Sequence, residues 1–146
     1  MTWEGKKESQ DAARKLIEQY GLPDIIYYSP MFRTRQTVKE MVKVVEEYSR
    51  KKIKVKTEPR LGRFFTKSQR RKQKIRESTL YKGAILDETW DQFHERVDQH
   101  FSEIVEKDYS VIWNITHTLV LLRIGQITGI YLPEHISYSD VCIVKK

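Results

Sequence analysis

Ser110-Val-Ile-Trp-Asn-Ile-Thr-His117-Thr-Leu-Val-Leu-Leu122 runs from an apolar, β-branched stretch straight into an apolar pattern of helical spacing, with an imidazole at the junction. The first half reads as a buried strand, Tyr109–Thr116, and the second as a helix, Leu119–Thr128. His117 therefore stands at the carboxyl end of a strand, where open α/β sheets gather their ligand-binding groups. Upstream, Ile25-Ile-Tyr-Tyr-Ser-Pro-Met-Phe-Arg33-Thr-Arg-Gln-Thr37 repeats the design: strand, short turn, then a helix opening with Arg33. An Arg and a His, each at a strand-to-helix junction, point to a pocket for phosphate or another anion.

The other elements follow outward from these two. Ala12, Ala13, Leu16, Ile17 and Tyr20 recur at helical spacing, and Gly21-Leu-Pro23 ends that helix. Val38, Met41, Val42, Val45 and Tyr48 mark one face of a second helix from about Phe32 to Ser49. Ile53–Thr57 alternates as a half-exposed strand, and Tyr138–Lys145 is expected as a terminal strand. Trp90, Phe93, Val97, Phe101, Ile104 and Val105 give a third amphipathic helix between about Asp87 and Lys107. Strands alternating with helices predict an α/β fold of three layers, with a mostly parallel sheet and helices on both faces.

With 146 residues and 39% hydrophobic content, the chain supports one domain, 1–146, and no second one. The net charge of +7 is unevenly spread. Lys67, Arg70, Arg71, Lys72, Lys74 and Arg76 crowd into a ten-residue run without an acid, inside an irregular basic insertion at about 63–86. Ser68–Thr79 within it reads as helical once docked. A smaller cluster, Arg50-Lys-Lys-Ile-Lys-Val-Lys56, precedes it and reads as a strand edge guarded by lysines. The larger run is a candidate polyanion surface for nucleic acid, anionic lipid or an acidic protein face. No nucleic-acid motif accompanies it, and only Phe64 and Phe65 beside it offer rings for stacking.

One cysteine, Cys142, excludes an intrachain disulfide framework and points to a reducing compartment, the cytoplasm or an organelle matrix. The start, Met1 to Lys7, has no apolar core of a signal peptide, and no apolar stretch is long enough to span a bilayer. No cofactor motif is present, and no His, Cys and Asp set has metal-ligand spacing. Of the remaining histidines, His94 and His100 read as surface or rim positions of the third helix, and His135 as a loop residue.

Ser29-Pro30-x-x-Arg33-x-x-Gln36-Thr37 after a strand is similar to the turn of the histidine phosphatase (phosphoglycerate mutase-like) superfamily. Thr2-x-x-Gly5 before a long helix, Glu58-Pro-Arg-Leu61, Glu88-Thr-Trp-x-x-Phe-x-x-Arg96-Val97 and Thr116-His117 resemble further segments of that family, in its order. The resemblance implies a phosphoglycerate mutase-like fold and phosphoryl transfer through a phosphohistidine. It assigns Arg33 the place of a phosphate-gripping arginine and His117 the place of the family's second histidine. A guanidinium offers paired N–H donors matched to phosphate, and helix N-termini beside it add positive potential.

The same resemblance implies losses. The nucleophilic Arg-His-Gly tripeptide and the strand that carries it have no counterpart. Arg63 stands where the family has a carboxylate, and Thr118 where a Gly often follows the second histidine. Glu77 or Glu88 is left as a possible acid. The missing strand is interior in the family, so its absence has three outcomes: the sheet closes up, another chain donates a strand, or the chain is part of a longer product. The expected function is a catalytically inactive pseudoenzyme, a binding or structural subunit of a larger assembly with protein partners. The alternatives are a phosphatase or mutase whose nucleophile is supplied from elsewhere, and a nucleic-acid-binding protein using the basic insertion.

Overall fold

The computed structural model describes residues 1–64, 88–128, 135–138 and 140–146, the backbone alone for 135–138. The polyanion candidates Lys67, Arg70, Arg71, Lys72, Lys74 and Arg76 lie outside the described residues, as do Phe65, Glu77 and the helix expected at 68–79.

Helix α1 spans Trp3–Tyr20, β1 Ile25–Tyr28, α2 Phe32–Ser49 and β2 Lys54–Thr57, followed by a 3₁₀ turn at Pro59–Leu61. Helix α3 spans Trp90–Glu106, β3 Val111–Ile115, α4 Thr118–Ile127, β4 His135–Tyr138 and β5 Val141–Lys145. Local chemistry explains where the helices begin. Thr2 caps α1 by accepting the Gly5 N–H at 3.0 Å. Thr89 and Gln92 form a reciprocal capping box at the start of α3. Two motif segments, Thr2-x-x-Gly5 and Thr89 to Gln92, thus have a reading in helix initiation that is independent of any ligand.

The strands form one mixed sheet in the order β2-β1-β3-β5-β4. β1 runs parallel to both β2 and β3, whereas β3–β5 and β5–β4 are antiparallel. The expected mostly parallel sheet is corrected: half of the described ladders are antiparallel. The cause is local. The chain reverses between Tyr138 and Val141, so the single terminal strand expected there is a hairpin, and β5 enters the sheet pointing against β3. His135, expected in a loop, opens β4.

Helices cover both faces of the sheet, as expected. Leu16 and Ile17 of α1 and Val38, Met41 and Val45 of α2 pack with Ile26, Trp113 and Ile143 on one face. Phe93, Val97 and Phe101 of α3 and Val120 and Ile124 of α4 pack with Ile25, Ile112 and Val144 on the other. All five residues of β3 are buried, in keeping with a sequence that is apolar except at Asn114. β2 is exposed along its length, with Lys54 and Lys56 on the open edge. The interior of the sheet has no vacant position among the described residues: β3 is hydrogen-bonded to β1 on one side and β5 on the other. No helix among the described residues is long and apolar enough to cross a membrane.

Candidate anion-binding site

The chain passes from β1 outward to β2 and returns across β1 to form β3, so β1 and β3 are neighbours at a switch point in strand order. The helix after β1, α2, packs on one face of the sheet, and the helix after β3, α4, on the other. Their N-termini diverge from the carboxyl ends of two adjacent parallel strands and leave a crevice between them. Sequence dictates this geometry through two short apolar strands, each followed at once by a helix start.

Arg33 and His117 lie on the wall of one cavity of about 1020 Å³ in that crevice. Thr2 and Glu8 of the α1 start, Thr34 of α2, Arg63 after the 3₁₀ turn, Thr118 and Leu119 of α4 and Asp140 before β5 share the wall. The N-cap positions of α2 and α4 are Met31 and His117, and neither supplies a side-chain cap. Both helices therefore present N–H groups and the positive end of their dipoles without an internal side-chain acceptor.

His117 is held from below. Its Nε2 lies 2.8 Å from the Oγ of Ser29, which is fully buried directly after β1. Ser29 is fixed in turn by its own N–H, which donates to the Ile115 carbonyl at 3.0 Å. Burial, and then the nearby guanidinium groups of Arg63 and Arg96, depress the His117 imidazole to about 4. At neutral pH the ring is uncharged. Arg33 is exposed, so it reaches the cavity from the solvent side.

In the sequence Arg63 stands out only through the resemblance, which expects a carboxylate at its position. The structure places it in the cavity as a cation close enough to act on His117. The signal that could have found it was its position five residues after Glu58, at the carboxyl end of β2 and so on the same edge of the sheet as His117. Glu88, considered as an acid for the pocket, is engaged elsewhere. Its carboxylate accepts from Arg96 Nε at 3.0 and 2.9 Å and from Nη2 at 2.6 Å. Arg96 Nη1 also donates to the Arg60 carbonyl at 2.7 Å, which ties α3 to the turn that carries Arg63.

His100 corrects another expectation: it is fully buried, not at the surface or rim. The amide nitrogen of Asn114 donates to the Cys142 carbonyl, which leaves Oδ1, 2.8 Å from His100 Nε2, as the acceptor of an imidazole N–H. Tyr27 and Phe101 meet the ring edge-on, each at 5.0 Å between centroids. It belongs to the core and not to the cavity. His94 is half-buried, with its ring tilted against Trp90 at 4.6 Å between centroids. Cys142 is buried in β5, which pushes its thiol up to about 12. No protein-family model, curated protein or solved structure matches this chain.

Proposed function

We propose that this chain is a phosphate-binding module of histidine-phosphatase type that lacks a covalent nucleophile and serves as a binding or structural subunit of a larger assembly. The single observation that carries the reading is the convergence of Arg33, Arg63 and His117 with two helix N-termini lacking side-chain caps on one cavity. Such a set offers charge, paired N–H donors and oriented dipoles to a tetrahedral oxyanion. Ser29 is sealed beneath His117 and cannot attack a substrate, and Cys142 is a buried thiol of high pKa. Arg63 in the place of a carboxylate supplies fixed positive charge where turnover needs a proton donor, which favours holding an anion over transforming it. The assembly role is supported by Phe32 and Leu119, large apolar side chains left bare beside Arg33 and on the cavity wall.

Calorimetric titration with inorganic phosphate tests the reading, alongside turnover of p-nitrophenyl phosphate. The expected result is binding that weakens in Arg33→Ala and His117→Ala, with no turnover. Absence of phosphate binding overturns it. So does hydrolysis that vanishes in the same two variants, which would establish the enzyme instead.

A further inference from the structure

Beneath the cavity, the Ser29 hydroxyl has a single partner among the described residues, His117 Nε2 at 2.8 Å. Ser29 is fully buried, so its O–H must be satisfied inside the protein, and the imidazole lone pair is the acceptor within reach. A hydroxyl that accepted from Nε2–H instead would leave its own hydrogen without a partner in the interior. The hydroxyl donor therefore selects the tautomer in which Nε2 is bare and Nδ1 carries the proton. Nδ1 has no partner among the described residues, and His117 as a residue is half-buried and not sealed from solvent. His117 lies on the cavity wall, so the cavity is where its second nitrogen can find a partner.

We propose that Ser29 is a positioning residue that locks His117 as an uncharged Nδ1–H donor, making the cavity selective for tetrahedral oxyanions that carry no proton where they face the ring. The proposal rests on the anion-binding reading for its ligand, but its structural half stands in the empty protein. A neutral ring that must accept would welcome a protonated phosphate oxygen; a neutral ring that must donate bonds a bare, charged oxygen more strongly than a protonated one. The charged groups around the ring act in the same sense or are solvated. Arg33 and Arg63 are donors alone, while Glu8 and Asp140 are exposed carboxylates on the same wall. Arg96 acts on the ring by charge from α3 but keeps its donors on Glu88 and on backbone carbonyls. Dianionic phosphate and sulfate share the required chemistry, and they differ in one respect: inorganic phosphate passes from dianion to monoanion at about pH 7, above the value of about 6 for a phosphomonoester, and sulfate does not.

Long-range proton–nitrogen correlation spectra of the histidine rings read the tautomer directly in the ligand-free protein at neutral pH. The expected spectrum shows His117 with Nδ1 protonated. In Ser29→Ala the ring should move to the Nε2–H form that an unconstrained histidine favours in water, and Ser29→Cys, a weak donor of similar size, should give a mixture. Titration with inorganic phosphate and with sulfate then reads selectivity: phosphate affinity should fall at least tenfold from pH 8 to pH 5.5, while sulfate affinity holds within about twofold. An Nε2–H ring in the unmutated protein overturns the proposal even if Ser29→Ala does not fold. Equal pH dependence of the two anions overturns the selectivity. Failure of either anion to bind while the Nδ1–H tautomer is observed sinks the anion-binding reading and leaves the role of Ser29 intact.

Discussion

Arg96 and Glu88 meet as a two-pronged ion pair inside the protein, with only 7% and 4% of their side chains exposed. The guanidinium is further tied to the Arg60 carbonyl and stacks 4.7 Å from the Phe93 ring. Removing one partner strands the other charge in the interior, which typically costs about 3–5 kcal/mol. Glu88→Leu and Arg96→Met should each lower the urea midpoint strongly, and the double variant carrying both should recover much of the loss. Additive losses in that double-mutant cycle would show that the pair is not coupled.

Acid should weaken the fold before its carboxylates titrate. Burial holds His100 at about 4 in the folded protein, against roughly 6.5 in an unfolded chain. Below pH 6.5 the unfolded chain takes up a proton that folded His100 refuses, so stability falls as pH drops and levels off once pH passes 4. One such histidine is worth about 2 kcal/mol between pH 7 and pH 5, and His117, held at about 4 by burial and arginine charge, adds in the same direction. Glu40 and Glu103, whose carboxyls are held below their ordinary range by Lys43 and Arg60, should add a second loss only under about pH 4.5. Denaturant unfolding at a series of pH values should show His100→Gln with a flatter curve from 6.5 to 4, although less stable at pH 7.

Arg63 and His117 interact by charge across the cavity, and reversing that charge gives a sharp test. Arg63→Glu should abolish binding of inorganic phosphate. It should also raise the His117 titration midpoint, because a depressing cation becomes a carboxylate that favours the protonated ring. Arg63→Gln should raise the midpoint less and weaken phosphate binding about 10- to 100-fold, the loss expected for a charge-assisted hydrogen bond. A midpoint unmoved in both variants, followed by nuclear magnetic resonance, would remove Arg63 from the site.

At the end of α2, Arg50 adopts a left-handed conformation with φ of 58° while its N–H closes the helix on the Glu46 carbonyl. A side chain there is strained, and Gly is not. Arg50→Gly should therefore raise stability by about 0.5–1 kcal/mol after the greater entropy of an unfolded glycine is counted. A lower thermal midpoint in the variant would contradict the reading.

Much of this architecture is legible in the residues. Two strands are marked by short β-branched runs, Ile25–Tyr28 and Val111–Ile115, and three helices by apolar residues repeating every three or four positions. Strand direction was not legible, since Tyr138–Lys145 has apolar residues on both sides of Ser139-Asp140 and nothing in periodicity says that the chain turns back there. The burial of His100 is legible: it stands seven residues after Phe93 and four before Ile104, on the buried stripe of α3. Arg96, three residues after Phe93, belongs to the same stripe. That Arg33 and His117 share one edge of the sheet is legible because helix starts after parallel strands collect there. The place of Arg63 beside them is not legible, because an irregular turn carries no period from which its direction could be read.

The closed pairing of β3 with β5 has a consequence for how the chain is made. Val111–Ile115 leaves the ribosome well before Val141–Lys145, and synthesis adds only about 5–20 residues each second. For that interval an apolar ribbon containing Ile112, Trp113 and Ile115 has one flank without a hydrogen-bonding neighbour. Such a ribbon invites pairing with foreign strands, so the nascent polypeptide should depend on holdase chaperones until its last hairpin emerges.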